Sequence, residues 1–186
     1  MTSSIYQQSI DKQRIIITGA QSGLITKLAR HVLSSNQRKF DFYRAGDAEP
    51  ILTDAPVILI EAQDQLADYH HHILILSGVP DNQLKEIEKV ADATSKGGII
   101  IYPESDKQLK LIAARERTDV QAIAYNTYRH EQKNGATVLI TSTNEKFPVA
   151  LSSETDLKCI SATRELLKKI GISSGQFYRA VSTFKP

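Results

Sequence analysis

The chain has 186 residues, of which 41% are hydrophobic and 24% are charged, and its formal net charge is +2. This length accommodates one α/β domain with a sizeable core, and the balance of apolar and charged residues argues against intrinsic disorder. Because the charge is small and the basic residues are scattered, composition excludes the electrostatic footprint of a nucleic-acid-binding protein.

The cysteine content and the hydropathy set further bounds. The single cysteine, Cys159, excludes an intramolecular disulfide and fits a reducing compartment. It lies in a half-apolar helical run, so we expect a buried structural thiol and not a nucleophile. No apolar run approaches the ~18 residues of a membrane-spanning helix, and residues 1–14 lack the core of a signal peptide. We therefore expect a cytoplasmic protein without a membrane or nucleic-acid partner.

The first predicted elements are a strand, a turn of small residues and a helix. Residues 15–17 form a β-branched run typical of a strand buried on both faces, and apolar residues recur at helical spacing over residues 24–33. The turn between them lies at the carboxyl end of the strand, where open α/β sheets place ligands. This is the layout of a phosphate-binding loop, in which glycines let backbone N–H groups face an anion.

The turn lacks the cation that a phosphate-binding loop uses. Three residues separate Gly19 from Gly23, where the usual loop has four, and the residue after the second glycine is Leu24 and not a lysine. The sequence therefore keeps the scaffold of a nucleotide site without its principal charge.

Strands and helices then alternate along the chain. Alternation over residues 40–43 predicts a strand, and short apolar runs predict three more, at residues 56–60, 73–76 and 98–102. Two amphipathic stretches predict helices, at residues 84–94 and 107–114. This alternation favours an α/β fold built on a mostly parallel sheet with helices on both faces.

The pattern changes after residue 117. Three short strands are predicted next, at residues 120–125, 137–141 and 147–151. Turn signals precede the second and third, which indicates a small antiparallel meander packed on the sheet. Two helices follow, at residues 155–169 and 174–183. With no linker or repeat, we expect a polar tail over residues 1–13 and a single domain over residues 14–186.

Two polar clusters leave alternatives open. Residues 70–72 are consecutive histidines directly before a predicted strand. A surface or strand-start role is favoured over a metal site, because alternate rings point to opposite faces of a strand. Glu61 and Asp64 follow the end of another strand, where they form either the remnant of a magnesium site or the cap of a turn or helix.

Five strings, in order, resemble the central ATP-binding domain of the Mur ligases, cytoplasmic enzymes that add amino acids or peptides to UDP-N-acetylmuramic acid. Residues 15–23, Ile-Ile-Ile-Thr-Gly-Ala-Gln-Ser-Gly, resemble the family's strand and phosphate loop. Residues 58–62 are similar to the strand that ends in its magnesium-binding glutamate, here Glu61. The other strings are residues 74–82, 98–106 and 171–185. The resemblance extends over residues 14–185 and implies a P-loop-like fold.

The sequence departs from this family at the residues that serve catalysis. Without gaps, the family's lysine falls on Gly23 and its two hydroxyl residues fall on Leu24 and Ile25. The γ-phosphate thus loses a point charge and magnesium loses a hydroxyl ligand. The resemblance implies no catalytic residue, Glu61 as a remnant metal ligand, and a remnant nucleotide site at Gly19, Ala20, Gln21, Ser22, Gly23 and Thr26.

The functional expectation follows from these departures. The family's flanking domains are not recognisable in the sequence, so the positioning of reactants is expected to be lost together with charge. We favour a catalytically inactive binding or regulatory module of peptidoglycan precursor synthesis, whose partner is a nucleotide, a UDP-sugar peptide precursor or another cell-wall protein. The alternative is a ligase component that uses ATP and Mg and works with separate domains or chains. A hydrolase or dehydrogenase of an unrelated family is a third, less favoured interpretation.

Overall fold

The computed structural model describes residues 4–115 and 117–186. Contacts divide the chain into two compact units. The first comprises Met1–Gly23 and Lys39–Ala124, and the second comprises Leu24–Arg38 and Tyr125–Pro186. The chain therefore leaves the first unit early in a helix and returns to it directly after that helix.

The first unit is built on a six-stranded sheet. Its strands are β1 (Gln13–Gly19), β2 (Asp41–Arg44), β3 (Val57–Glu61), β4 (Ile73–Ser77), β5 (Ile99–Pro103) and β6 (Gln121–Tyr125). Their spatial order is β2-β3-β1-β4-β5-β6, and the neighbours from β2 to β5 pair in parallel. The predicted α/β fold with a mostly parallel sheet is confirmed.

Helices cover one face of this sheet. They are α1 (Ser4–Gln8), α3 (Leu84–Asp92), α4 (Lys107–Ala113) and two short 3₁₀ helices at Leu66–Tyr69 and Asp81–Gln83. Ile16, Ile60 and Leu74 from the strands pack in one core with Ile5 of α1 and Val90 of α3. Fully burying such a side chain contributes about 1.5–3 kcal/mol, so this core contributes strongly to the stability of the unit.

The opposite face of the sheet is buried as well. Ile15, Ile17, Leu59 and Ile75 alternate with the residues of that core and are fully inaccessible to solvent. Burial on both faces explains why the strands read as continuous apolar runs and not as alternating patterns.

Helix α1 lies within the segment expected to be a polar tail. Its Ile5 is buried, and the hydroxyl of the buried Ser9 donates to the Ile5 carbonyl oxygen at 2.6 Å. The two adjacent residues Ile5 and Tyr6 in an otherwise polar helix give no periodic signal, so the sequence offers no basis for predicting this packed helix.

The second unit contains a separate three-stranded sheet, with strands β7 (His130–Lys133), β8 (Ala136–Ile140) and β9 (Lys146–Val149). Both pairings, β7 with β8 and β8 with β9, are antiparallel. A small antiparallel meander is therefore confirmed. Its helices are α5 (Glu154–Lys169), α6 (Ser174–Ser182) and most of α2 (Ser22–Ser35).

The membership of the meander differs from the prediction. The sequence predicts residues 120–125 as its first strand, but they form β6 beside β5, where the Gln121 N–H donates to the Gly98 carbonyl oxygen at 2.9 Å. The first strand is β7 instead, and its sequence, His-Glu-Gln-Lys, carries no apolar alternation. Asn134 and Gly135 then make the two-residue hairpin to β8, with φ angles of 51° and 77°.

The structure also agrees with the predicted starts of the last two helices and with the expected burial of Cys159. Capping boxes begin α5 at Ser153 and α6 at Ser173, close to the predicted helix starts. Cys159 is buried, and desolvation raises its thiol pKa to about 12, as expected for a structural thiol. Among residues 4–115 and 117–186, no helix combines the length and the apolarity needed to cross a bilayer.

Candidate functional site

The candidate site lies at the carboxyl end of β1, where the chain turns into α2. Gly19 has a φ angle of 102°, and a Cβ atom there would lie 1.6 Å from the carbonyl oxygen of Ser77 in β4. Glycine is therefore required by both the backbone conformation and the close approach of β4. The Ala20 N–H donates to the Gly78 carbonyl oxygen at 3.1 Å, which holds the turn against the end of that strand.

The side-chain amide of Gln63, two residues beyond the end of β3, closes over this turn. Its Oε1 accepts the Gly19 N–H at 3.1 Å. Its Nε2 donates to the Gly19 carbonyl oxygen at 3.2 Å and to the Ser22 hydroxyl at 3.0 Å. Both backbone groups of Gly19 thus have a partner within the chain. In a phosphate-binding loop backbone N–H groups face an anion, whereas here the Gly19 N–H is bonded to Gln63 and the Ala20 N–H to Gly78.

The last residue of β3, Glu61, connects the turn to the edge of the sheet. Its Oε1 accepts the Ser22 hydroxyl at 3.2 Å. Its Oε2 accepts Nε and Nη2 of Arg44 at 3.3 and 3.2 Å. Arg44 ends β2 and is opposite Glu61 in the parallel register. The side chain of Arg44 is 48% exposed and that of Glu61 12% exposed, so this ion pair contributes about 0–1 kcal/mol to stability.

A cavity of about 350 Å³ opens beside these side chains, at the carboxyl ends of β2 and β3. It is lined by Arg44, Ala45, Gly46, Glu61, Ala62, Gln63 and Asp64. The lining brings one cation, Arg44, together with the carboxylates of Glu61 and Asp64. Parallel α/β sheets place ligands at this edge, but the charges here do not favour a polyanion.

Comparisons with known proteins identify the fold. No family model matches the chain, and no curated protein matches it. Among solved structures, a UDP-N-acetylmuramate:L-alanyl-gamma-D-glutamyl-meso-diaminopimelate ligase from Neisseria meningitides has a TM-score of 0.76 at 12% identity, covering 95% of this chain and 67% of its own. This chain has a Mur-ligase-like fold.

Two further structures define the breadth of this Mur-ligase-like fold. One is a UDP-N-acetylmuramoylalanyl-D-glutamyl-2,6-diaminopimelate--D-alanyl-D-alanyl ligase from Acinetobacter baumannii, with a TM-score of 0.77, 11% identity and coverage of 97% of this chain and 48% of its own. The other is a folylpolyglutamate synthetase from Lactobacillus casei, with a TM-score of 0.71, 11% identity and coverage of 97% and 65%. The chain thus spans about half to two thirds of these proteins, and their different names show that the fold alone does not set the substrate.

The residues of the predicted nucleotide remnant lie at the end of β1, in the turn that follows and in the first part of α2. Gly19 ends β1, Ala20 and Gln21 form the turn, and Ser22 and Gly23 begin α2, where a Cβ atom at Gly23 would lie 3.6 Å from Oε1 of Glu61. Thr26 belongs to the second unit. Its hydroxyl is buried and has no hydrogen-bond partner within the part of the chain that the structure describes.

Glu61 has the position expected of a magnesium ligand, but its surroundings do not fit the ion. Mg²⁺ requires near-octahedral oxygen coordination, usually with one or two carboxylates. Here one oxygen of Glu61 is held by the Arg44 guanidinium and the other by the Ser22 hydroxyl. Within residues 4–115 and 117–186, no three His, Cys, Asp or Glu side chains are placed to hold a metal. The Mur-ligase-like domain therefore does not present a magnesium site at this position.

Sequence reasoning missed Arg44 and Gln63 as components of the site. Arg44 directly follows the strand predicted at residues 40–43, and Gln63 lies between Glu61 and Asp64, the two carboxylates of the possible magnesium remnant. The proximity of these side chains depends on the strand order β2-β3-β1, because that order places the ends of all three strands together. No local sequence pattern specifies that order.

The three histidines directly precede β4. They therefore lie at the amino ends of the parallel strands, opposite to the end that carries the candidate site. Nε2 of the buried His71 is 2.9 Å from the Thr94 hydroxyl, and burial lowers its pKa to about 3. Nδ1 of His72 accepts the Arg14 N–H at 3.1 Å, while the ring of His70 lies 4.3 Å from that of Tyr6. The expected strand-start role is confirmed, whereas a surface location is wrong for His71.

Proposed function

We propose that this Mur-ligase-like domain is catalytically inactive and serves as a binding or regulatory module of peptidoglycan precursor ligation. The observation that carries the proposal is the set of hydrogen bonds that Gln63 makes at the turn after β1. Gln63 engages both backbone groups of Gly19 and the hydroxyl of Ser22, and no lysine follows Gly23. A nucleotide would have to displace these contacts without gaining the charge that normally holds its phosphates.

The charges near the turn support the same conclusion. The carboxylate of Glu61 lies beside the start of α2, where a phosphate group would otherwise benefit from the helix dipole. Asp64 adds a second negative charge to the cavity, and Arg44 is already paired with Glu61. Charge stabilisation by a lysine or a metal contributes several kcal/mol to a phosphoryl transition state. The arrangement provides no equivalent of that contribution, so we expect no ligation by this domain alone.

The proposed ligand follows from the fold and from the names of its neighbours. Two of them are ligases of UDP-N-acetylmuramate or of its peptide derivatives. We therefore propose that the module is cytoplasmic and binds a UDP-sugar peptide precursor or another cell-wall protein.

The competing function is an ATP- and Mg-dependent ligase component that works with separate domains or chains. The observation in its favour is that the chain spans only 48% of the D-alanyl-D-alanyl ligase that it resembles. In that case the missing contacts to ATP would come from a partner, and the strand-turn-helix geometry at residues 13–35 would serve its original purpose.

Isothermal titration calorimetry with Mg-ATP separates the two functions. We expect no binding to the full chain at ATP concentrations up to about millimolar, because the turn lacks its cation. Micromolar binding that disappears in Glu61→Ala, but persists when the exposed Asp11 is changed to Ala, would contradict the proposal. A parallel titration with UDP-N-acetylmuramoyl tripeptide tests the precursor as ligand. A negative result there would leave a protein partner as the proposed target.

A further inference from the structure

We infer that the guanidinium of Arg44 takes the place of a divalent cation at Glu61, so that the positive charge of this site is built into the chain. This inference deepens the proposed function, since it concerns the same site. It rests on a different contact, however, because the proposed function is carried by Gln63 and the turn. The two can therefore fail independently.

The geometry around Glu61 leaves no oxygen of the carboxylate without a partner. Two nitrogen atoms of Arg44 lie 3.2 and 3.3 Å from Oε2, and the Ser22 hydroxyl lies 3.2 Å from Oε1. A cation and a hydroxyl are also the two kinds of group that would surround this carboxylate in a magnesium site. The chain thus supplies both from its own side chains.

The sheet fixes Arg44 in this position. β2 and β3 are parallel neighbours, with Arg44 opposite Glu61 and Tyr43 opposite Ile60. Asp41, at the start of β2, is anchored by a hydrogen bond from the Thr53 hydroxyl at 2.9 Å. A one-residue slip of β2 would move Arg44 to the other face of the sheet, so the register itself delivers the guanidinium to Glu61. Since arginine stays charged at every accessible pH, this charge does not depend on metal supply.

The surroundings of Arg44 indicate what its removal would expose. Glu61 and Asp64 both line the cavity, and Ser22 lies beside Glu61. Without the guanidinium, two carboxylates and a hydroxyl would form an oxygen-rich cluster, which is the chemistry that Mg²⁺ and Mn²⁺ prefer. Removal of a unit positive charge about 5 Å from a divalent ion strengthens its binding about ten-fold in water.

The test measures Mn²⁺ binding by electron paramagnetic resonance of the free ion, with chelator-treated full chain and no nucleotide. We expect weak binding to the unmodified protein and an increase of about ten-fold or more in Arg44→Gln. The increase should vanish in the double variant Arg44→Gln, Glu61→Gln. Lys39→Gln is the control, because it removes another exposed, paired cation of the same unit that does not line the cavity. Arg44→Lys retains the charge and should bind Mn²⁺ like the unmodified protein.

Two results would overturn the inference. One is Mn²⁺ binding to the unmodified protein that is as tight as in Arg44→Gln and is lost in Glu61→Gln. The other is a correctly folded Arg44→Gln variant, verified by its thermal transition, that shows no gain over Lys39→Gln. Because the assay contains no nucleotide, a failure here leaves the ATP titration untouched. Conversely, ATP binding without metal would contradict the proposed function alone.

Discussion

Strand β2 carries an ion pair at each end, and the two pairs are built differently. At its start, Asp41 lies 3.3 Å from Nζ of Lys12, with side chains only 6% and 4% exposed. At its end, Arg44 lies 3.2 Å from Glu61, and the guanidinium is about half exposed. Desolvation makes the first pair costly to break, whereas the second is screened by solvent. Two ion pairs of similar length thus have different roles. The pair of Lys12 and Asp41, at the amino end of β2, stabilises the fold, and the pair of Arg44 and Glu61, at its carboxyl end, lines a cavity.

The same contrast extends along both edges of the parallel sheet. At the amino edge, Lys12 also donates to the carbonyl oxygens of Thr53 and Ala55, each at 2.7 Å, and His71 is completely buried. At the carboxyl edge, the exposed side chain of Gln63 spans the turn, next to a cavity. The amino edge therefore serves to stabilise the fold, and the carboxyl edge is the part of this unit that can respond to a ligand.

The largest expected effect is at the buried pair. Lys12→Met removes the ammonium group and leaves the carboxylate of Asp41 buried without its counter-ion. We expect the free energy of unfolding to fall by about 3–5 kcal/mol, measured by urea denaturation. Lys39→Met is the control, since its pair with Asp54 is more than two-thirds exposed on both sides and should contribute about 0–1 kcal/mol. Equal losses of unfolding free energy in Lys12→Met and Lys39→Met would contradict the conclusion that the buried ion pair stabilises the fold more than the exposed one.

The next effect concerns pH and His71. Burial lowers its pKa to about 3, while the unfolded chain has the ordinary value near 6.5. Between these values the unfolded state takes up a proton that the folded state does not. The free energy of unfolding therefore falls as pH falls through this window, and His71 accounts for a loss of about 2–3 kcal/mol between pH 7 and pH 4.5.

Urea denaturation at several pH values tests this contribution. His71→Gln should flatten the pH dependence by that amount, although part of it remains because burial also lowers the pKa of His72. His130→Gln, at the exposed His130 in β7, is the control for the loss of a histidine outside the core. An unchanged slope in His71→Gln would show that His71 does not stay neutral in the folded state.

The buried strands can be predicted from the sequence, because a strand buried on both faces is a continuous run of apolar residues. The apolar strands β1 and β3 to β5 are recognisable from their own residues, and so is the position of Gly19 and Glu61 at strand ends. The strand β7 is not, since His-Glu-Gln-Lys pairs through its backbone and carries no apolar face. The predicted partner of β6 is wrong for a related reason: a short strand does not encode which neighbour it joins.

The candidate site shows the same limit on a finer scale. The loop glycines and the missing lysine are visible in the sequence, and they identify the turn. The contacts of Gln63 and Arg44 depend on β3 lying between β1 and β2, which is a property of the whole sheet. Consequently the absence of the lysine could be predicted from the sequence, but the contacts that Gln63 and Arg44 make around the turn could not.

The smallest expected effect is at the turn itself. Gln63→Ala removes the side-chain partner of the Gly19 N–H and carbonyl groups and one of the two partners of the Ser22 hydroxyl, which keeps Glu61. Because Gln63 is exposed, water can replace its amide, so we expect a loss of only about 1 kcal/mol. Hydrogen exchange is the sharper measurement, since the Gly19 amide should exchange faster while amides within β4 keep their protection. Gln7→Ala, at an exposed glutamine of α1, should change neither quantity. A loss of stability equal to that of Lys12→Met would mean that the contacts at the carboxyl ends of the strands stabilise the fold as much as those at the amino ends. Displacement of Gln63 by a ligand would then cost several kcal/mol, which would contradict the contrast drawn above.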